Sequence, residues 1–142
     1  MTLRTLSLAA ILTVAFAAPA FAHHSFAMFD QSRSVTLMGK VKELEWSNPH
    51  AWLRVEVVDA AGKPQQYAFE MGSVARSTYD GWQRDTVRPG DIVSVTVAPL
   101  KDGSRGGMYL GIDLPSGKHL GRTGPAVGAI TPRNANGDLV RP

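Results

Sequence analysis

Between positions 34 and 120, hydrophobic and polar residues alternate along the chain. This alternation is typical of β-strands that turn one face to a core and the other to water. The first run changes phase between Val41 and Leu44, which indicates a β-bulge near Lys42 and Glu43 that bends a long strand. Further runs lie at 51–57, 65–71, 92–97 and 108–114, followed by a short sixth at 119–120. The run at 108–114 predicts one shared inward face for Met108, Leu110, Ile112 and Leu114.

The β pattern is interrupted after the third run. Ser73 is a suitable N-cap for a short helix to about Tyr79, and Gly81 can end that helix in a left-handed conformation. The Arg-Pro-Gly-Asp segment at 88–91 predicts a tight turn before the fourth strand. Three strands, a helix and two strands follow the order of oligonucleotide/oligosaccharide-binding (OB) barrels. We predict an all-β fold with one short helix, a small five- to six-stranded OB-like β-barrel; a β-sandwich would need neither helix nor bulge.

The first 22 residues have the organisation of a secretory signal peptide. A basic start ending at Arg4 precedes an apolar run, and Ala20-Phe21-Ala22 supplies the small residues of a cleavage site. The apolar run is shorter than the roughly 20 residues that cross a bilayer, so we expect an exported protein with no transmembrane segment after cleavage. The predicted parts are a signal peptide at 1–22, an N-terminal arm at 23–33, the OB-like β-barrel domain at 34–120 and a flexible C-terminal tail at 121–142.

Composition narrows the possible chemistry. The chain has no cysteine, which excludes disulfides, thiol catalysis and thiolate metal sites. Loss of Arg4 with the signal peptide leaves 14 basic and 12 acidic residues, a formal net charge of +2. The basic residues are scattered, so we expect no nucleic-acid partner. Neither a Ser-His-Asp arrangement nor a phosphate-binding glycine loop occurs, so we expect a binding protein rather than an enzyme.

Several short motifs carry a resemblance to a known family. They are His23-His24-Ser25-Phe26, Phe29-Asp30, Trp46-Ser47-Asn48-Pro49-His50, Gly81-Trp82, Arg88-Pro89-Gly90-Asp91 and Lys101-Asp102-Gly103. Together they make the mature chain similar to a family of small exported bacterial proteins with a domain of unknown function. The resemblance implies a periplasmic location but supplies no activity or substrate.

Cleavage after Ala22 would expose a free α-amino group on His23 beside its own imidazole. An α-amino group titrates at about pH 8 and an imidazole at about pH 6.5, so both release protons to a metal at little cost. With one imidazole from His50, His24 or His119, they would form a T-shaped set similar to the histidine brace of copper monooxygenases and periplasmic copper carriers. Planar nitrogen donors suit Cu(II). His50 is favoured because its loop often borders the binding face of such barrels.

Two arm residues could complete this copper site. Met28 is a candidate soft axial ligand, and Asp30 is a candidate carboxylate partner that fixes an imidazole tautomer. An interpretation without metal also fits, in which His23-His24 is an arbitrary start and Asn48-Pro49-His50 is a turn whose Asn caps backbone donors. Both interpretations stay open at this point.

Aromatic residues define an alternative ligand-binding site. Trp46 and Trp52 flank the loop that contains Asn48. Exposed indole rings can stack a sugar or a peptide side chain. Trp52 is the best candidate because its strand face carries charged residues, whereas Trp46 and Trp82 are expected in the core.

Two functional hypotheses follow from these sites. The first is a small periplasmic binding protein that holds copper through its processed N-terminal histidine, for carriage or sequestration. The second is a metal-free periplasmic interaction module that binds a protein or glycan partner through exposed aromatics and loops. An oxidative copper enzyme would in addition require an open coordination position beside a flat substrate surface.

Overall fold

The computed structural model describes residues 26–122, and within that range the fold is a small all-β barrel. A closed five-stranded barrel carries one additional strand and one short α-helix, which confirms the predicted fold. The elements are β1 (Val35–Glu45), β2 (Trp52–Val58), β3 (Pro64–Glu70), α1 (Val74–Tyr79), β4 (Ile92–Pro99), β5 (Gly106–Asp113) and β6 (His119–Gly121), preceded by a 3-10 turn (Phe26–Met28). In this part of the chain, no helix is long and apolar enough to cross a membrane.

The barrel closes through one parallel pairing. Neighbouring strands follow the order β3-β2-β1-β4-β5-β6, and all of these pairs are antiparallel. The first and fifth strands of this series, β3 and β5, then pair in parallel, with Glu70 opposite Met108. The short β6 is the additional strand and pairs with β5. The helix α1 lies between β3 and β4 in the sequence, as predicted.

The long first strand serves two neighbours. Its N-terminal half pairs with β4 and its C-terminal half with β2, and the β2 register shifts between Val41 and Glu43. This irregularity confirms the predicted bulge at Lys42. At Gly39 the strands come so close that an added Cβ would lie 2.5 Å from the carbonyl oxygen of Glu56. Only glycine therefore fits at this crossing without a shift of the backbone.

Local signals place the helix and the following turn. The Ser73 hydroxyl accepts a hydrogen bond from the Arg76 N–H at 3.2 Å, which caps α1 as predicted. Gly81 follows the helix with φ +91°, and Gly90 has φ +99° in the turn before β4. Both values lie in the left-handed region that glycine adopts at no steric cost.

The interior is filled by alternate residues of the strands and by one indole ring. Trp82 is fully buried, which confirms its predicted core position. Its ring packs edge-on against the ring of Tyr109, with the two ring centroids 5.5 Å apart. Trp46 is half-buried and packs against the same core. The inward residues of β4 are also buried, namely Val93, Val95 and Val97.

One strand departs from the predicted pattern. The pairing of β4 with β5 shifts register so that Val97 lies opposite Tyr109 while Thr96 lies opposite Gly111. Leu110 is the extra residue, and Tyr109 turns to the core together with Ile112. The predicted single inward face over positions 108–114 is therefore wrong, because a second bulge changes the phase of β5.

Candidate functional site

The described part of the N-terminal arm docks on the barrel. Phe29 is 4% exposed and forms a β-bridge with Leu100. The backbone N–H of Asp30 donates to the Pro99 carbonyl at 2.8 Å, and the N–H of Lys101 donates to the Met28 carbonyl at 2.9 Å. The arm therefore pairs antiparallel with the chain at the end of β4. Backbone hydrogen bonds and one buried aromatic ring fix it there.

A pocket of about 420 Å³ lies beside this docked arm. Phe26 and Phe29 line it, together with His50 from the loop before β2 and Glu70 from the end of β3. The other lining residues belong to the α1 region, β5 and the end of β6: Met71, Gly72, Arg76, Asp80, Met108, Tyr109, Leu110, Gly121 and Arg122. The pocket thus combines an apolar wall with charged groups of both signs.

Within the pocket, His50 is joined to Glu70. The Nδ1 atom of the imidazole lies 2.5 Å from Oε1 of the carboxylate, and the side chains are 36% and 13% exposed. Backbone hydrogen bonds between the adjacent residues hold His50 and Glu70 in place. The Ala51 N–H donates to the Gly72 carbonyl at 3.0 Å, and the Met71 N–H donates to the Ala51 carbonyl at 2.9 Å. With Nδ1 engaged by the carboxylate, Nε2 is the nitrogen left to coordinate a metal, and it makes no hydrogen bond within residues 26–122.

The two predicted arm residues, Met28 and Asp30, lie near the docking region but do not line the pocket. The Met28 side chain is 48% exposed. The Asp30 carboxylate accepts a hydrogen bond from the Ser32 hydroxyl and forms an ion pair with Arg33 at 3.1 Å. The Ser32 hydrogen bond lowers the pKa of Asp30, which keeps that carboxylate ionised. His23 and His24 lie outside the described residues, as do the predicted signal peptide and positions 123–142.

His119, the other candidate imidazole, uses both of its ring nitrogens. Nδ1 lies 2.7 Å from Oδ1 of Asp113, and Nε2 lies 3.2 Å from the Arg122 carbonyl oxygen. The contact with Asp113 raises the pKa of His119. In this geometry neither nitrogen is available to a metal without breaking a hydrogen bond.

The residues of the aromatic alternative do not line the pocket, although one of them is the strand neighbour of Glu70. Trp52 is half-buried on β2, where its partners in register are Glu45 and Glu70. The Asn48 side-chain oxygen accepts the N–H of Val74 at 3.1 Å, so it helps to cap α1. Trp46 packs against the core. Trp46, Asn48 and Trp52 all lie outside the pocket lining.

The described residues do not complete a metal site by themselves. Within residues 26–122, no group of three or more His, Asp or Glu side chains is arranged to hold a metal ion. His50 with Glu70 supplies one imidazole and its carboxylate partner. Further ligands would have to come from the N-terminal histidines or from thioethers.

Sequence reasoning missed Glu70, the residue that contacts His50. A carboxylate on an alternating strand is expected to face solvent and pair with a neighbouring strand. The sequence signal was that Glu70 lies near the end of the third run and His50 just before the second. An antiparallel β2–β3 pairing brings these two positions together.

Comparison with known proteins supplies a family but no activity. No curated protein and no solved structure matches the chain. Residues 10–109 match the family described as "Family of unknown function (DUF6152)". This match covers well over half of the chain, and the chain therefore belongs to the DUF6152 family of unknown function.

Proposed function

We propose that this protein is an exported, periplasmic copper-binding protein. Cleavage after Ala22 would leave His23 at the N-terminus, where its amine and imidazole bind Cu(II) together with the Nε2 atom of His50. The role would be carriage or sequestration of the metal. This proposal includes the signal peptide at 1–22, because without cleavage the key amine is part of a peptide bond.

The observation that carries the proposal is that Phe26 and His50 line the same pocket. Only two residues separate Phe26 from His23. Three steps of extended chain cover about 10 Å, a distance comparable to the width of such a pocket. Because Phe29 and the backbone of Asp30 are fixed on the barrel, the entry of the chain to this region is fixed as well.

The contact between His50 and Glu70 supports the same proposal. A carboxylate on one ring nitrogen of a histidine holds the ring and its tautomer and makes the other nitrogen a better donor. Such pairs are common where histidine binds a metal. Glu70, itself mostly buried, would fulfil this role for His50.

The decisive experiment compares two N-termini. The secreted protein is first weighed intact, in native and denaturing conditions, to establish its first residue and any bound metal. Its Cu(II) affinity is then measured by competition with a chelator, beside a variant that carries one extra Gly before His23. We expect a loss of at least about tenfold in the extended variant, since even partners of metal ligands contribute 10–100-fold. Equal affinities would overturn the proposal.

A pair of histidine variants tests the third ligand. His50→Gln should weaken Cu(II) binding by at least about tenfold, because it removes a direct ligand. His119→Gln is the matched control, since its nitrogens already bond to Asp113 and Arg122. Equal effects of the two substitutions would exclude His50 as the third ligand.

The alternative is a metal-free periplasmic module for a protein or glycan partner. It is favoured by the exposure of two large apolar side chains on the arm, 57% for Phe26 and 48% for Met28. Together with Trp52 they could contact a partner. Binding of a partner that persists in excess chelator and is lost in Trp52→Ala would support this function over copper binding.

A further inference from the structure

We infer that Met108 supplies a thioether ligand to the metal at His50, so that the pocket binds Cu(I) as well as Cu(II). The inference rests on the proposed function and names a second metal ion for the same site. It assigns the soft ligand to a strand of the barrel instead of to Met28 on the arm.

The register of the closing strand pair carries this assignment. Met108 lies directly opposite Glu70 in the parallel pairing of β3 with β5. Paired strands are about 4.8 Å apart, and residues in register project from the same face of a sheet. Glu70 in turn contacts His50, so the sulfur-bearing side chain lies next to the carboxylate of the imidazole–carboxylate pair. All three residues line the pocket.

The chemistry of the chain points to the same residue. Thioethers are soft ligands that favour Cu(I), and imidazole binds copper in both oxidation states. Because the chain has no cysteine, methionine is its only soft ligand. Of the two methionines that line the pocket, Met71 belongs to the buried core, whereas Met108 is half-buried and outside it.

Met108 is also better held than Met28. It lies within β5, which pairs on one side with β4 and on the other with β3. Met28 belongs to a short 3-10 turn, leaves about half of its side chain in water and does not line the pocket. A ligand on a rigid strand loses less conformational entropy when it binds a metal.

The test measures both oxidation states on the full secreted protein. Cu(I) affinity is determined anaerobically by competition with a chromophoric Cu(I) chelator, and Cu(II) affinity is determined separately. Met108→Leu keeps the volume of the side chain and removes the sulfur, and Met28→Leu is the matched control. We expect Met108→Leu to weaken Cu(I) binding by at least about tenfold and Cu(II) binding by much less, because the thioether is a soft ligand. The sulfur contribution to the Cu(I) X-ray absorption spectrum should also disappear.

The outcomes separate this inference from the proposed function. If Met108→Leu leaves Cu(I) affinity and the sulfur signal unchanged, or Met28→Leu has the same effect, the inference is wrong, whatever the result for Cu(II). If Met108→Leu lowers Cu(I) affinity while the extra Gly before His23 leaves Cu(II) affinity unchanged, the inference about Met108 holds. The proposed Cu(II) site at His23 is then wrong. A native protein that binds neither ion would overturn both.

Discussion

Nδ1 of His50 and Oε1 of Glu70 lie 2.5 Å apart in the pocket beside the docked arm. The two residues belong to separate segments, which backbone hydrogen bonds between Ala51, Met71 and Gly72 bring together. The carboxylate fixes which imidazole nitrogen carries the proton and which can act as a ligand. The orientation of the histidine is therefore set by the barrel before any metal binds.

Removing the carboxylate should weaken the proposed copper site without dismantling the barrel. We expect Glu70→Ala to lower Cu(II) affinity about 10–100-fold, the usual cost of losing the partner of a metal-bound histidine. Glu56→Ala is the matched control, because that carboxylate contacts Lys40, Lys42 and Gln66 and does not line the pocket. Chelator competition gives the affinities, and thermal melts check the fold. An affinity that survives Glu70→Ala would show that the pair has no part in metal binding.

The contact between His119 and Asp113 predicts a pH dependence of stability. The hydrogen bond to Asp113 raises the pKa of His119 above its ordinary value of 6.5. The folded state then binds the proton more tightly, so the stabilisation is complete below about pH 6.5 and is lost as the pH rises through the folded-state pKa. His119→Gln should therefore cost more stability at about pH 5.5 than at about pH 9.

Two measurements check this dependence on pH. Urea denaturation of the native protein and His119→Gln at both pH values gives the difference in unfolding free energy. NMR titration of the His119 ring gives its pKa directly, and Asp113→Asn should return that pKa towards 6.5. A cost of His119→Gln that is the same at both pH values would contradict the prediction.

The hydroxyl of Tyr109 connects the core indole to the last strand. Trp82 Nε1–H donates to this hydroxyl at 3.1 Å, and the hydroxyl donates to the Leu120 carbonyl at 2.9 Å. Burial raises the pKa of Tyr109, so the hydroxyl stays protonated across the working range of pH. Tyr109→Phe should destabilise the fold by about 1–3 kcal/mol, because the indole N–H loses its buried acceptor.

A second tyrosine provides the control for this substitution. Tyr67 is also half-buried and packs against Phe69, but its hydroxyl makes no hydrogen bond within residues 26–122. Tyr67→Phe should therefore change the unfolding free energy by less than about 0.5 kcal/mol. Urea denaturation measures both variants, and similar losses would mean that the hydroxyl network contributes nothing.

Features that depend on neighbouring residues were predictable from the sequence. The phase change after Val41 marks the first bulge, since a one-residue insertion exchanges the two faces of a strand. Ser73 and Gly81 delimit α1 because capping depends on a few adjacent residues. The strand order then follows from the position of the helix between the third and fourth runs.

Features that depend on distant pairing were not predictable. The second bulge is hidden because Met108, Tyr109 and Leu110 are all hydrophobic, so period-two alternation cannot show which of them faces the core. The partner of His50 is likewise set by the register of β2 and β3, which alternation alone does not define. Sequence reasoning thus named the imidazole of His50 but not Glu70, its carboxylate partner.

Burial of Phe29 ties the arm to the proposed copper site. Its side chain is 4% exposed and its backbone bridges to Leu100, so it anchors the segment that leads back to His23. Phe29→Ala should release the arm and lower Cu(II) affinity, because the N-terminal ligands would lose their fixed approach to His50. It should also destabilise the protein by about 3 kcal/mol or more if the ring contributes like one in a core.

Val57→Ala separates the two effects of releasing the arm. Val57 is equally buried, at 4% exposure, but lies on β2 near the hairpin to β3 and outside the pocket. This substitution should cost about 1–3 kcal/mol of stability and leave Cu(II) affinity unchanged wherever the protein is folded. Chelator competition at a temperature well below both melting transitions measures the affinities. If Phe29→Ala binds Cu(II) as tightly as Val57→Ala, the docked arm does not position the metal ligands, and the N-terminus must reach His50 without its help.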